Sequence, residues 1–298
     1  MKNIKKVVSL LLIAVLMIST IPNNFVFAKD KTSNEQIKSI MTDNNISIDN
    51  TENQLVIETE LSFDKPKSNM PNSRSIPNNY SSDSAEENIE NARVSLSIDN
   101  ENNDLKLISY ETDHNGNEQV KEYEVILESA TEDGIIGSFI DISTDEKYDF
   151  NTTELQASFA FLIPVGIIIG EALLAHLISI GLAVTISGVT YIAASEFLKR
   201  NKTKNHYKAV RRDSGLFIGD GLSKAKAVSR LKGGNDTWST SQSNAKTIAK
   251  EASKIGKVTS AEIDKHGKGK HYHYHPISSI KNGSSVRMSA HAFYGAPR

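Results

Sequence analysis

The sequence predicts an α+β multidomain protein, and three observations lead to this fold class. Short runs in the N-terminal half alternate apolar with polar residues, which is typical of half-buried strands. An almost wholly apolar stretch follows near the middle of the chain, and residues 199–298 combine lysine-rich helical patterns with short strands. In chain order we expect an N-terminal signal peptide, an antiparallel β-rich leader domain, an apolar helical hairpin segment and a small basic α+β C-terminal domain.

Residues 1–28 have the three parts of a signal peptide. A basic start precedes an apolar run from Val7 to Ile18, and small or aliphatic residues lead to Ala28, the residue before the expected cut. The apolar run is shorter than the ~20 residues that a membrane-spanning helix needs. We therefore expect a secreted, extracellular chain. Since it contains no cysteine, packed cores rather than disulfides must stabilise it.

The two regions that follow differ in composition. Residues 29–91 form a polar leader, rich in serine, asparagine and proline, which we expect to be partly disordered around one short strand at 54–63. Residues 92–150 contain several short alternating runs, separated by turn-forming pairs such as Asp133-Gly134. This region is predicted to be an acidic β-rich domain.

Residues 155–198 are predicted to be a hydrophobic helical segment. The chain is almost wholly apolar over 159–194, which favours a hairpin of two helices, the second long enough to span a bilayer. Gly166 and Gly170 have the small-xxx-small spacing that lets helices approach closely in lipid. Two interpretations stay open at this point: association with a membrane through residues 159–194, or a helical hairpin buried inside the protein.

Charge is divided unevenly along the chain. Residues 29–198 contain 10 Lys and Arg against 30 Asp and Glu, a balance of −20, whereas residues 199–298 contain 21 against 6, a balance of +15. Such asymmetry favours contact between the basic part and a polyanion, either nucleic acid or an anionic membrane. Alternatively, the two halves can neutralise each other. Ser223, and either Ser241 or Ser243, are expected to cap two helices in this basic part. The candidate nucleic-acid-binding residues are Lys208, Arg211, Arg212 and Lys268.

The histidines are concentrated at the C-terminus. Five of the eight lie in the last 33 residues, and three alternate with tyrosines in the run His271-Tyr272-His273-Tyr274-His275. An extended segment places these three imidazoles on one face and the tyrosines on the other. A second strand that returns through residues 285–294 would bring His291 beside the row.

Three chemistries fit such a row. A His-x-His pair can bind a metal ion, with His291 or Glu262 completing the shell. Two imidazoles, or an imidazole and a carboxylate, can cleave RNA by acid–base catalysis while Lys or Arg offsets the developing charge. The row can also have no chemistry, with the tyrosines packed inward and the three histidines solvated. The catalytic candidates are His271, His273, His275, His291, Glu262, Lys270 and Arg287, and the metal-ligand candidates are His271, His273 and His275.

Several features together resemble a known family. The signal peptide, the acidic β-rich leader, the apolar segment ending Gly188-Val189-Thr190-Tyr191, and a tail with His-Tyr-His-Tyr-His-Pro and His-Ala-Phe-Tyr-Gly are similar to those of secreted toxins of Gram-positive bacteria. These are grouped with the polymorphic toxins, in which a variable C-terminal effector follows a shared export region. The resemblance covers most of the mature chain and implies an extracellular toxin, with a nuclease as the usual effector type for so basic a domain. The resemblance assigns no catalytic role to any residue of this chain.

We therefore expect a secreted toxin whose basic C-terminal domain, residues 205–298, is a nuclease effector with RNA as the favoured substrate. One alternative is a membrane-active toxin that acts through residues 159–194. Another is an exported protein without enzymatic activity that binds a metal or a surface. The expected partners are nucleic acid, a membrane and an immunity protein, and the only cofactor considered is a divalent metal.

Overall fold

The computed structural model describes residues 45–63, 89–153, 163–264 and 270–298. The predicted signal peptide lies outside these residues, as do most of the polar leader and the start of the apolar segment. Strands contain 49% of the residues and helices contain 19%. All but two of the described strands belong to one large sheet. The protein is therefore mostly β, and the predicted α+β multidomain fold class is wrong.

Seven antiparallel strands form the first part of the sheet, and each pairs with the next along the chain. In the longer strands, alternate side chains enter the core, as in the third strand, where Val94, Leu96 and Ile98 are buried. The alternating runs that predicted strands here are confirmed. The strands are β1 (Ile46–Asn50), β2 (Gln54–Ser62), β3 (Ile89–Asp99), β4 (Leu105–Asp113), β5 (Glu118–Thr131), β6 (Gly134–Asp141) and β7 (Lys147–Asn151).

Helix α1 (Val165–Ser179) packs against this sheet. Gly166 and Gly170 allow the close approach, because a Cβ at Gly166 would lie 2.3 Å from the Ser109 hydroxyl oxygen and one at Gly170 would lie 2.6 Å from a leucine side chain. The Glu111 carboxylate accepts a 3.1 Å hydrogen bond from the backbone N–H of Gly166, where negative charge suits the N-terminal end of a helix. The glycine spacing therefore serves the packing of a helix on a sheet.

The second half of the apolar segment is a β-hairpin made of β8 (Ala183–Ile186) and β9 (Val189–Ala193). Ser187 and Gly188 form its turn with φ of 50° and 71°, and positive φ at both central residues matches the twist of hairpin strands. The flanking residues are mainly β-branched, which favours strands. The predicted apolar helical hairpin is therefore wrong. In the part of the chain that the structure describes, no helix is long and apolar enough to cross a bilayer.

The C-terminal region extends the same sheet. The predicted helix caps are confirmed, since the hydroxyls of Ser223 and Ser241 accept hydrogen bonds from backbone N–H groups of the first turns. The elements are α2 (Ala194–Phe197), β10 (His206–Arg212), β11 (Gly215–Leu222), α3 (Lys224–Lys232), β12 (Thr237–Ser239), α4 (Gln242–Ala252), β13 (Tyr272–Tyr274), β14 (Ile277–Lys281), β15 (Ser284–Arg287) and β16 (Ala292–Tyr294). From β9 the strand order continues through β11, β10, β12, β16 and β13, while β14 and β15 pair only with each other.

The last three strands of the sheet present different side chains on their two faces. On one face, α3 and α4 pack over Tyr274 and Ala292. On the other face, Trp238 and Phe293 lie opposite each other in the parallel pair of β12 and β16. His273 lies opposite Phe293 in the antiparallel pair of β13 and β16. Its imidazole is therefore on the face away from the helices.

Candidate functional site

The alternating His-Tyr run forms β13 and its flanks, and its two kinds of side chain point to opposite faces. Tyr272 and Tyr274 both stack on Tyr294, with ring centroids 5.9 and 5.7 Å away. His273 faces the other way, and its ring centroid lies 5.2 Å from that of Phe293. The period of two predicted from the sequence is present, although the strand itself has only three residues.

Three histidines form a buried group, which we call the histidine cluster: His273, His275 and His291. Their ring centroids are 4.2 to 5.1 Å apart, and one nitrogen of each ring lies within 4.8 Å of those of the other two. Each residue is at most 8% exposed. His291 stands just before β16, whose antiparallel pairing with β13 brings it beside the row.

His271 is not a member of the histidine cluster, although it belongs to the same alternating run. Its Nδ1 lies 3.0 Å from the backbone carbonyl oxygen of Gly295, and the residue is buried. This contact joins the start of β13 to the end of β16. The structure therefore separates His271 from the three histidines that it brings together.

Hydrogen bonds determine which nitrogen of each clustered imidazole carries a proton. The Nδ1 atoms of His273 and His275 lie 3.3 and 3.1 Å from backbone carbonyl oxygens. That of His291 lies 3.0 Å from a carboxylate oxygen of Asp236. Carbonyl and carboxylate oxygens only accept hydrogen bonds, so Nδ1 is the donor in all three rings. In a neutral imidazole the lone pair is then on Nε2.

Asp236 is the residue of this site that sequence reasoning missed. One of its carboxylate oxygens accepts hydrogen bonds from the backbone N–H and from Nδ1 of His291, at 2.7 and 3.0 Å. The other accepts from Nε of Arg211 at 2.8 Å. Asp236 stands just before β12, whose parallel pairing with β16 places it beside His291. Its one signal in the sequence is a short polar turn before Trp238, which is typical of an ordinary loop.

Glu262 lies at the edge of the histidine cluster. A pair of backbone hydrogen bonds with His273 holds it there. Its Oε2 accepts a 2.8 Å hydrogen bond from Arg287. Its Oε1 is buried, lies 4.0 Å from Nε2 of His275 and has no hydrogen-bond partner among the described residues. One carboxylate oxygen is therefore available next to the clustered imidazoles.

Burial controls the protonation of the cluster. It lowers the pKa of His273 and His275 by disfavouring their charged forms, and the nearby imidazole of His291 lowers both pKa values further. Burial alone would raise the pKa of Asp236, but the hydrogen bonds that it accepts from His291 and Arg211 outweigh this effect and lower that pKa. Near neutral pH the site therefore combines neutral His273 and His275 with an ionised Asp236.

The residues predicted to bind nucleic acid have different surroundings. Lys208 pairs with a carboxylate of β11 at 2.6 Å, and Arg211 pairs with Asp236. Arg212 is exposed and lines an open cavity beside the β8–β9 hairpin. Lys268 lies outside the described residues. Arg211 is thus part of the site, but as a support for Asp236.

The two predicted catalytic cations also differ from each other. Arg287 is more than half exposed and holds Glu262 at the edge of the cluster. Lys270 is half-buried, and its backbone carbonyl accepts a 2.9 Å hydrogen bond from the backbone N–H of Arg298. Of this pair, Arg287 is the one that the structure connects to the histidine cluster.

Comparisons with known proteins supply no counterpart of this site. A scan against protein-family models finds no match to the chain, and searches of curated proteins and of solved structures find none either. The resemblance to secreted toxins therefore stays a prediction, and the chemistry of the site must be inferred from its own contacts.

Proposed function

We propose that the chain is a secreted toxin whose C-terminal residues 205–298 cleave RNA at the histidine cluster. The observation that supports this best is the grouping of three clustered imidazoles with the carboxylates of Asp236 and Glu262. Buried titratable groups that shift one another's pKa values are more common at catalytic sites than elsewhere. The +15 balance of residues 199–298 adds a reason to expect a polyanionic substrate.

RNA suits such a centre because it carries its own nucleophile, the 2′-hydroxyl. Cleavage forms a bond between the 2′-oxygen and phosphorus and breaks the bond from phosphorus to the 5′-oxygen. The 2′-hydroxyl must lose a proton, and the departing 5′-oxygen must gain one, which water can supply. Glu262 is placed to take the first proton, since its Oε1 has no hydrogen-bond partner among the described residues.

Positive charge in residues 199–298 serves two purposes. Arg287, beside Glu262, is placed to offset the charge that develops on the phosphoryl oxygens. Exposed lysines on the two C-terminal helices add a long-range attraction for a polyanion, which speeds its encounter with the protein. These lysines are Lys224, Lys226, Lys232, Lys246 and Lys250.

Expression inside a bacterium tests the proposal. The chain from Lys29 onward, produced from an inducible promoter, should arrest growth and degrade cellular RNA while leaving DNA intact. The variants His273→Gln and His291→Gln should both lose this effect. His206→Gln is the matched control, because His206 is buried but lies outside the cluster, with Nδ1 2.9 Å from the Ser239 hydroxyl.

Two results would overturn the proposal. One is intact RNA and normal growth in cells that contain soluble, folded wild-type protein. The other is equal RNA degradation by the wild type and by both cluster variants.

A further inference from the structure

We infer that His273, His275 and His291 together bind one divalent transition metal ion, of which Zn²⁺ is the best match, through their Nε2 atoms. The inference rests on the site of the proposed function and deepens it by naming a cofactor. Its first support is proximity, since one nitrogen of each imidazole lies within 4.8 Å of the other two. The pairing of β13 with β16 brings these three imidazoles together, His273 from β13, His275 from the residue after it and His291 from the residue before β16.

The second support is the orientation of the rings. A ring nitrogen that donates a hydrogen bond cannot also bind a metal, and Nδ1 is the donor in all three rings. Every clustered imidazole is therefore in the tautomer that leaves Nε2 free to act as a ligand. Metal-binding histidines almost always donate their other ring nitrogen to a carbonyl or carboxylate in this way.

The third support is the chain of contacts behind His291. Asp236 accepts from Nδ1 of His291, and Arg211 in turn holds the second oxygen of Asp236 at 2.8 Å. Such a carboxylate fixes the ring orientation and makes the opposite nitrogen a stronger donor to a metal. Asp236 and Arg211 are thus positioning residues for a ligand.

The type of ligand selects the class of metal. Three imidazole nitrogens suit Zn²⁺ and its close chemical relatives such as Co²⁺, whereas Ca²⁺ and Mg²⁺ prefer oxygen ligands. In tetrahedral coordination with bonds of about 2.1 Å, the three nitrogens would lie about 3.4 Å apart. One nitrogen of each ring lies within 4.8 Å of those of the other two, so side-chain rotations must bring the three ligand nitrogens closer on binding, by up to about 1.4 Å for nitrogens at that limit.

Three protein ligands leave a fourth position for a water or a substrate oxygen, as in catalytic zinc sites. Glu262 lies beside the three ligands, since its Oε1 is 4.0 Å from Nε2 of His275. Its buried oxygen has no hydrogen-bond partner among residues 45–63, 89–153, 163–264 and 270–298. An oxygen held at the metal would give Glu262 that missing partner and place the proton of the nucleophile within its reach.

Metal titration of the purified chain from Lys29 onward, without nucleic acid, tests the inference. After treatment with a chelator and dialysis, the protein should bind one equivalent of Zn²⁺ by calorimetry. It should also bind one equivalent of Co²⁺ with the intense visible absorption of a four-coordinate site. His273→Gln and His291→Gln should lose stoichiometric binding of both ions, and His206→Gln should keep it.

The outcomes separate this inference from the proposed function. Stoichiometric metal binding by a protein that leaves RNA intact would support the metal site and overturn the proposed function. RNA cleavage that persists in excess chelator, by a protein that binds neither Zn²⁺ nor Co²⁺, would do the reverse. Equal loss of metal by His206→Gln and by the cluster variants would also overturn the metal site. Thermal melts of the metal-free variants show whether each is folded.

Discussion

Asp236 holds His291 by two hydrogen bonds to one carboxylate oxygen, from the backbone N–H at 2.7 Å and from Nδ1 at 3.0 Å. The backbone contact fixes where His291 enters β16, and the ring contact fixes which way its imidazole points. Both residues precede strands that pair in parallel. Asp236 therefore positions the backbone of His291 and also sets the direction in which the Nε2 lone pair of its imidazole points.

Replacing Asp236 with asparagine keeps the shape of the side chain and removes its charge. We expect the affinity for Zn²⁺ to fall about 10–100-fold, and RNA cleavage with it, because the ring loses the partner that orients it. Calorimetry and RNA gels measure the two effects. Asp220→Asn is the control, since Asp220 pairs with Lys208 instead of a clustered histidine, and it should leave both unchanged. Full affinity and cleavage in Asp236→Asn would contradict the role assigned to Asp236.

Replacing Glu262 with glutamine should separate metal binding from cleavage. Glutamine cannot take a proton from the nucleophile, so we expect the rate of RNA cleavage at saturating substrate to fall about 10²–10⁴-fold. The stoichiometry of Zn²⁺ should stay at one, because the three imidazoles remain. Single-turnover kinetics and metal analysis provide the readouts. Undiminished cleavage would remove Glu262 from the mechanism.

Acidic pH should destabilise the metal-free protein through its buried histidines. Burial lowers the pKa of His271, His273 and His275 in the folded chain below their ordinary value of 6.5. Below pH 6.5 the unfolded chain then binds protons that the folded chain does not, so the free energy of unfolding falls as pH falls. Above pH 6.5 these groups are neutral in both states and add no pH dependence.

Chemical denaturation at about pH 7.5 and about pH 5.5 measures this effect. A chelator in both samples prevents metal release from contributing. In His273→Gln the loss of stability between the two pH values should be smaller than in the wild type. An identical loss in the two proteins would show that His273 is not held neutral by the fold.

Gly166→Ala tests why the apolar segment contains its glycines. Alanine favours a helix over glycine by about 1 kcal/mol, so helix propensity alone predicts a more stable protein. The structure predicts the opposite, because the added Cβ would lie 2.3 Å from the Ser109 hydroxyl oxygen and such overpacking costs about 1–3 kcal/mol. Denaturant melts give the sign.

The control for this substitution is Ala175→Gly on the exposed side of the same helix. It should lose about 1 kcal/mol by propensity alone. A stabilised Gly166→Ala would contradict the close packing of α1 on the sheet.

Local sequence patterns predicted much of this structure, and the errors have physical causes. Alternation correctly predicted β2 to β7, in which residues of one face enter the core. It did not predict β1, whose side chains are exposed or half-buried. The apolar stretch was wrongly predicted to be a helical hairpin, because a buried strand and a buried helix are both uniformly apolar. Ser187-Gly188, with β-branched residues on either side, was the turn signal that separates the two.

In the candidate site, too, local patterns predicted some residues and missed others. The His-Tyr alternation predicted which imidazoles share a face, and the returning segment suggested His291. Asp236 was missed because its partner is 55 positions away, and the parallel pairing that joins them leaves no local trace. The ion pair of Arg211 with Asp236 also joins residues that are far apart in the sequence. Arg211 was therefore predicted to bind nucleic acid, because only the fold shows that its charge is paired.

The pairing of β9 with β11 joins the acidic and basic halves of the chain, with Phe217 opposite Ala193 and Ile218 opposite Ile192. Proteolytic cleavage between α2 and β10, followed by separation, would leave β11 with an unpaired edge. An unpaired edge that contains two large apolar residues, Phe217 and Ile218, promotes aggregation. Any processing that frees the basic half must therefore supply another strand to that edge.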